Sequence, residues 1–182
     1  SRAKIGLQIG HAGRKASCHL PWAGGRPLKD DTAWQVYGPE ADPFDTGWAV
    51  PQAMDRADLD RVLQAFVAAT LRAEGAGFDL LEIHLAHGYL LNTFYSPLTN
   101  RRTDQYGGSH DNRMRYPLEV AAAIRAVWPD HKPLSARISA TEWAEGGMED
   151  ADRIALARGL RDVGVDIIDV SAGGVVPQQK PV

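Results

Sequence analysis

The sequence predicts an α/β chain built on a parallel sheet, either doubly wound or closed as a (β/α)8 barrel. Three observations carry that expectation. Short β-prone runs alternate with amphipathic runs of helical period, glycines or a proline punctuate most of the changes, and polar residues gather where each β-prone run ends. Strictly alternating units with right-handed crossovers make a parallel sheet, and in both architectures ligands bind beyond the C-terminal ends of its strands.

Lys4 to Ile9 (KIGLQI) is β-tolerant and runs into the polar, glycine-containing HAGRKAS, which reads as a strand entering a functional loop. From Cys18 to Gln52 five prolines and three tryptophans interrupt any period, predicting a long irregular excursion with room for a hairpin. Asp55 or Asp58 then offers an N-cap, and Leu59, Val62, Leu63, Phe66, Val67 and Thr70 follow at helical spacing until Gly75 and Gly77. Phe78 to His84 is the next strand, read as an interior one covered on both faces. After a glycine-rich loop through Gly107 and Gly108, Ser109 can cap a second helix carrying Leu118, Ala121, Ile124 and Val127; Pro117 predicts a kink there or a restart. Leu134 to Ala140 reads as a third strand, Asp150 to Val163 as a third helix, and Asp166 to Ser171 as a fourth strand.

Composition narrows the function. Twenty Lys and Arg against twenty-three Asp and Glu give a net charge of −3, with no cationic excess to hold a phosphate backbone, so nucleic acid is not an expected partner. No apolar run is long enough to span a bilayer, and the single cysteine, Cys18, fits a reducing compartment; a soluble, cytoplasmic protein with no membrane partner is expected. No dinucleotide-binding glycine fingerprint, Walker A sequence or serine elbow is present, which removes Rossmann, P-loop and serine acyl-transfer chemistry.

What remains is built from His, Tyr, Arg and Gln. The densest cluster is His84-Leu85-Ala86-His87-Gly88-Tyr89, at a strand end where Gly88 permits a tight curl. Three readings stay open for it. The histidines are satisfied polar loop groups, or they ligate a metal with His11 as the distant partner, or they and the tyrosine donate to a carbonyl oxygen and deliver a proton. Arg137, read as lying in a strand buried on both faces, needs an acceptor: an ion pair with Glu82 or Asp169, or an electron-rich cofactor ring. Gln8 carries an amide suited to a heterocycle edge. Asn100, Arg101, Asp104, Tyr106, Asn112 and Arg113 read as a scaffold pinning a long loop, and Gly173 and Gly174 as a flexible loop.

QIGHAGRKAS, HLAHGYLLNTFYSPLTNRRTDQYGGSHDNRMR and SARISATEW, in that order, closely resemble the old yellow enzyme family of flavin-dependent ene-reductases. His84 and His87, with KASCHLPWAG, place the resemblance in its xenobiotic-reductase and thermophilic-like NADPH dehydrogenase branch. It implies an eight-stranded TIM barrel with non-covalent FMN at the C-terminal face, reduced by NAD(P)H and reducing the activated C=C bond of α,β-unsaturated carbonyl compounds.

By position, Gln8 resembles the glutamine on the flavin pyrimidine edge and Arg137 the arginine beside its N1 and C2 carbonyl. His84 and His87 resemble the pair binding the substrate carbonyl, and Tyr89 the catalytic proton donor to the α-carbon, with hydride from flavin N5; no metal is implied. The four strands correspond to the third to sixth of the family barrel. Residues 1–182 are therefore expected to be one partial FMN-binding domain, incomplete at both ends, with Ser1 and the stop after Val182 as cut ends. Cys18 does not correspond to the cysteine that tunes the flavin in relatives. An isolated segment is expected to bind little FMN and to be inactive, and homo-oligomerisation is left open. The alternatives are a dienoyl-CoA or other thioester reductase of the same barrel, a metal-dependent TIM-barrel hydrolase using His84, His87 and His11, and a non-catalytic scaffold.

Overall fold

A computed structural model describes residues 3–180 of the chain; Ser1 and Val182 lie outside the described residues. In chain order the strands are β1 (Gly6–Ile9), β2 (Tyr37–Gly38), β3 (Gln52–Ala53), β4 (Leu80–Leu85), β5 (Leu134–Ser139) and β6 (Ile167–Ser171). The helices are α1 (Arg56–Gly75), α2 (Leu90–Tyr95), α3 (His110–Arg125) and α4 (Asp150–Asp162).

The main sheet has the order β1-β4-β5-β6, every pair parallel. Spatial order follows chain order with no reversal. A doubly wound sheet needs a reversal to place helices on both faces, whereas successive right-handed crossovers in one direction put them all on one side. Here α1 packs on β1 and α3, and α3 packs on α4, so the four strands form an arc of the barrel type.

Register then sorts the side chains. Leu81, Ile83 and Leu85 of β4 line up with Leu134, Ala136 and Ile138 of β5, and all six are buried on the helix-covered face. Fully burying an aliphatic side chain of this size contributes about 1.5–3 kcal/mol, so this face holds the sheet to its helices. The alternate positions are polar: Gln8, Glu82, His84, Ser135, Arg137, Ser139, Asp169 and Ser171. Cover on both faces is largely found, since His84, Ser135 and Ser139 on the polar face are buried as well; what is corrected is the expectation for Arg137. Period-2 alternation gives β4 and β5 one greasy and one polar face, and the Arg137 side chain is 36% exposed.

Asp55 caps α1 by accepting the Asp58 N–H, and Ser109 caps α3 by accepting from Asn112 N. At α4 a reciprocal pair does the same work, Glu149 on the N3 amide and Asp152 on Glu149 N. Among the described residues no helix is long and apolar enough to cross a membrane. The helix from Ser109 does not restart at Pro117: α3 is continuous through it, the proline ring being buried against the core. Burial of this kind offsets the lost N–H bond. The excursion contains an antiparallel bridge, Cys18 to Pro27, and the short parallel pair of β2 and β3.

The segment after α2 is pinned as a scaffold. Asn100, 4% exposed, donates Nδ2 to the carbonyls of Phe94 (2.5 Å) and Tyr106 (2.7 Å), and Arg102 Nη1 donates to the carbonyls of Pro39 (2.9 Å) and Met54 (2.8 Å). Asn100→Ala leaves two buried carbonyls unsatisfied, at about 1–3 kcal/mol each. Urea unfolding of the purified variant is expected to show a loss of about 2–6 kcal/mol, and an unchanged midpoint contradicts that role.

Candidate active site

The polar face of the sheet culminates where β4 ends. Beyond Leu85 the chain turns through Ala86, His87 and Gly88, with φ of 61° at His87 and 71° at Gly88. A histidine in the left-handed region is strained, and its neighbours hold it there. His87 N donates to Ser139 Oγ (2.9 Å), and Gly88 N donates to Asn92 Oδ1 (2.8 Å).

That turn brings the two imidazoles together. His84 Nδ1 accepts the Ala86 N–H (3.1 Å), which leaves its proton on Nε2; Nε2 in turn faces His87 Nδ1 at 3.2 Å, and His87 Nε2 faces Ser171 Oγ at 2.6 Å. The backbone amide thus sets the direction of the whole relay. Each neutral ring accepts on Nδ1 and donates from Nε2. Burial, then the neighbouring His87 and the positive Arg137, push the His84 pKa down to about 4. His87 is lowered by burial and by the charges of Arg137 and Lys15. Both rings are neutral N–H donors at neutral pH.

Tyr89 follows as the N-cap residue of α2, its ring centroid 4.8 Å from that of His84. Its hydroxyl makes no hydrogen bond among the described residues. Against it lies a group that no sequence pattern singled out. Lys15 Nζ donates to the carbonyls of His87 (2.8 Å) and Gly174 (2.7 Å), and sits 4.4 Å from the Phe44 centroid and 5.7 Å from that of Tyr89. Burial and the adjacent Arg14 lower its pKa to about 8. Arg14, 3% exposed, pairs with Asp42 (2.9 Å) and donates to the carbonyl of Val175 (2.8 Å). Two consecutive cations in a loop look solvated in sequence. Only the fold reveals that both point inward.

Gly173 and Gly174 are corrected from a flexible loop to a packed one. A Cβ on Gly174 would lie 2.6 Å from His87 Cα, and one on Gly88 would collide with the Gly174 carbonyl. Gly173 N donates to the Thr141 carbonyl (2.7 Å) and Gly174 N to Gln179 Oε1 (2.5 Å). His11 is not brought to the histidine pair: its Nδ1 accepts Gly13 N–H (3.0 Å), and it lines a small apolar recess with Val62 and Phe66 of α1. Among the described residues no three His, Cys, Asp or Glu are grouped to hold a metal.

Arg137 faces Asp169, Nε to Oδ2 at 3.3 Å, and donates from Nη2 to Ser171 Oγ (3.3 Å), while its buried Nε lacks a well-directed hydrogen bond. Glu82, the other acceptor considered for it, instead takes Gln8 Nε2 and Ser135 Oγ, each at 2.7 Å. Gln8 is level with Ser135 in the register, so it lies two strands from Arg137 and two residues below it, about 10 Å across and about 7 Å along the sheet. An amide and a guanidinium so spaced on one face, with an underused Nε, fit the polar edges of a flat, extended heterocycle.

A family model described as NADH:flavin oxidoreductase / NADH oxidase family matches residues 1–182. An NADPH dehydrogenase of Bacillus licheniformis is 43% identical over 175 residues, covering 96% of this chain and 47% of the relative. One from Halalkalibacterium halodurans is 45% identical over 180 residues, covering 99% and 48%. The chain thus spans about half the length of the curated relatives it matches. Among solved structures, morphinone reductase in complex with tetrahydroNAD superposes with a TM-score of 0.75 at 31% identity, covering 93% of this chain and 49% of that one. An old yellow enzyme homologue from Zymomonas mobilis gives 0.75 at 25%, covering 92% and 47%. The chain is a partial (β/α)8 barrel.

Two outcomes follow from the relay. Folded His84 binds fewer protons than the unfolded imidazole between its lowered pKa of about 4 and the ordinary 6.5. The protein therefore loses stability as pH falls through that window. NMR titration is expected to show one imidazole neutral down to about pH 4, and a His84 signal titrating near 6.5 contradicts this. Lys15→Met removes both carbonyl bonds of the ammonium, which costs about 2 kcal/mol. Amide exchange at His87 is expected to accelerate; unchanged protection there contradicts the bracing of the turn by Lys15.

Proposed function

The chain belongs to the NADH:flavin oxidoreductase / NADH oxidase family, and from that premise we propose that it acts as an FMN-dependent ene-reductase on α,β-unsaturated carbonyl compounds. The observation that supports this reading best is the relay of two neutral imidazoles running from Ala86 N–H to Ser171. A metal site would leave both rings accepting toward a cation. Here each ring is instead an N–H donor on the polar face, handing its Nε2–H along the relay, beside a tyrosine hydroxyl with no hydrogen bond among the described residues.

Gln8 and Arg137 would hold FMN by its polar edges, with Glu82 orienting the Gln8 amide and Asp169 and Ser171 restraining the guanidinium. The positive charge of Arg137 favours the anionic reduced form of such a ring. Bound there, the flavin supplies a hydride acquired from NAD(P)H. His84 and His87 turn their Nε2–H donors from the relay to the substrate carbonyl oxygen. They draw electron density from the conjugated bond and stabilise the negative charge that develops on that oxygen. Their low basicity keeps them donors rather than proton traps. The Tyr89 hydroxyl, held beside His84 by the start of α2, gives a proton to the α-carbon, and Lys15 fixes the turn that sets the distance between them.

The full-length protein that contains this segment is expected to carry yellow FMN and to oxidise NADPH with cyclohexenone. Tyr89→Phe is expected to lower alkene turnover by about 10²–10⁴-fold, the range for losing a positioned general acid, while leaving flavin reduction by NADPH intact. A colourless full-length protein that cannot be reconstituted with FMN overturns the proposal.

A further inference from the structure

Away from the histidine pair, the polar group with the least local justification is a buried carboxyl. Glu142, in the loop between β5 and α4, is 2% exposed, and its Oε1 has no hydrogen-bond partner among the described residues. An unpartnered buried oxygen is costly, so its retention calls for a reason. The other oxygen supplies one. Oε2 accepts the Met148 N–H (2.9 Å), closing residues 142–148 on themselves, and the Ser96 hydroxyl faces the carboxyl as a donor from the C-terminal end of α2. Gly147 makes room for this closure, since a Cβ there would lie 2.6 Å from Oε2. Burial pushes the Glu142 carboxyl up from its ordinary range, against the donors Ser96 and Met148 and the charges of Arg113 on α3 and Arg153 on α4. Burial therefore favours the neutral acid, which glutamine imitates.

Both chain neighbours of Glu142 grip the segment after β6. The Thr141 carbonyl accepts the Gly173 N–H (2.7 Å), and the Trp143 carbonyl accepts the Lys180 N–H (2.9 Å). Trp143 does so in the left-handed region, at φ 52°, a conformation that a bulky residue keeps only when its surroundings over-determine it. Gly174, next along from Gly173, abuts His87 and gives its carbonyl to Lys15. On its other side Glu142 meets α2, a six-residue helix with Tyr89 as its N-cap and Ser96 as its C-cap. Glu142 therefore stands between the two supports of the site: the segment on which His87 rests and the helix that begins at Tyr89.

We propose that Glu142 is a positioning residue that sets the distance between His87 and Tyr89 by tying the loop after β5 to the C-terminal end of α2. The step it serves, proton delivery to an activated alkene, rests on the ene-reductase function proposed above; the tie itself does not.

The test uses the full-length, flavin-loaded protein with two substitutions. Glu142→Met keeps the volume but offers the Met148 N–H and Ser96 no strong acceptor, whereas Glu142→Gln keeps a carbonyl oxygen for them. Stopped-flow absorbance follows flavin reduction by NADPH and flavin reoxidation by cyclohexenone separately. Glu142→Met is expected to slow reoxidation by about 10–100-fold, the range for displacing a reacting group by up to about 1 Å, and to slow flavin reduction less. Glu142→Gln is expected to restore reoxidation. Amide exchange at Met148 and Gly173, measured against amides of the β4–β5 ladder, is expected to accelerate in Glu142→Met and to recover in Glu142→Gln. Equal slowing of both half-reactions, unchanged reoxidation with unchanged Gly173 protection, or no rescue by Glu142→Gln overturns the proposal. If Glu142→Met does not fold, Ser96→Ala severs the tie to α2 alone, and unchanged reoxidation in that variant overturns the proposal equally. A protein that reduces no alkene but loses Gly173 protection in Glu142→Met retains the tie and discards the ene-reductase function.

Discussion

The site depends on one close approach between backbones. The His87–Gly88 turn after β4 lies directly on the Gly174–Val175 segment after β6, although β5 runs between those strands. Gly88 and Gly174 permit the contact because neither has a Cβ to obstruct it. Ser139, at the end of the intervening strand, donates to the Gly173 carbonyl (3.1 Å) and accepts from His87 N, closing the arch over β5. Lys15 binds a carbonyl from each side, and Arg14 anchors Val175, itself fully buried. The ends of four strands are thereby locked, and the strained His87 has no room to relax.

From that arch follows the electrostatic character of the site. Lys15 and Arg137 place positive charge beside two imidazoles, which burial already holds neutral. Asp169 and Glu82 take up part of the cationic and polar load without touching the relay. The result is a pair of N–H donors whose protonation is held below the ordinary imidazole range, backed by fixed positive charge. Such a surface suits an electron-rich ring and a carbonyl that gains negative charge, the pairing on which the proposed ene-reductase chemistry relies.

The sheet supplies the stage by separating its faces. A contiguous apolar surface from β4 and β5 is sealed under α1, α3 and α4, so the polar side chains opposite carry little of the packing energy. They are free to serve chemistry. The scaffold residues after α2 extend the same logic, since Asn100 and Arg102 satisfy carbonyls that a long loop would otherwise bury unpaired.

Much of this was legible along the chain. Period and punctuation located the four strands and three long helices, with Asp55 and Ser109 as caps, because these features arise within a few residues of one another. The order and spacing of His84, His87 and Tyr89 marked the strand end that carries the site. Three things were not legible, each set by contacts distant in sequence. Whether the sheet winds one way or both depends on spatial strand order. α2, only six residues and buried all round, has no polar face to show a period. The inward course of Arg14 and Lys15 depends on carbonyls some 70 to 160 residues away. Sequence alone therefore determined the elements and the reactive side chains, since local periodicity and residue chemistry are written residue by residue. Only the tertiary structure decided which tautomers those side chains adopt, which acceptor Arg137 faces and why the glycines are there, because those answers belong to pairs of groups that the fold alone makes neighbours.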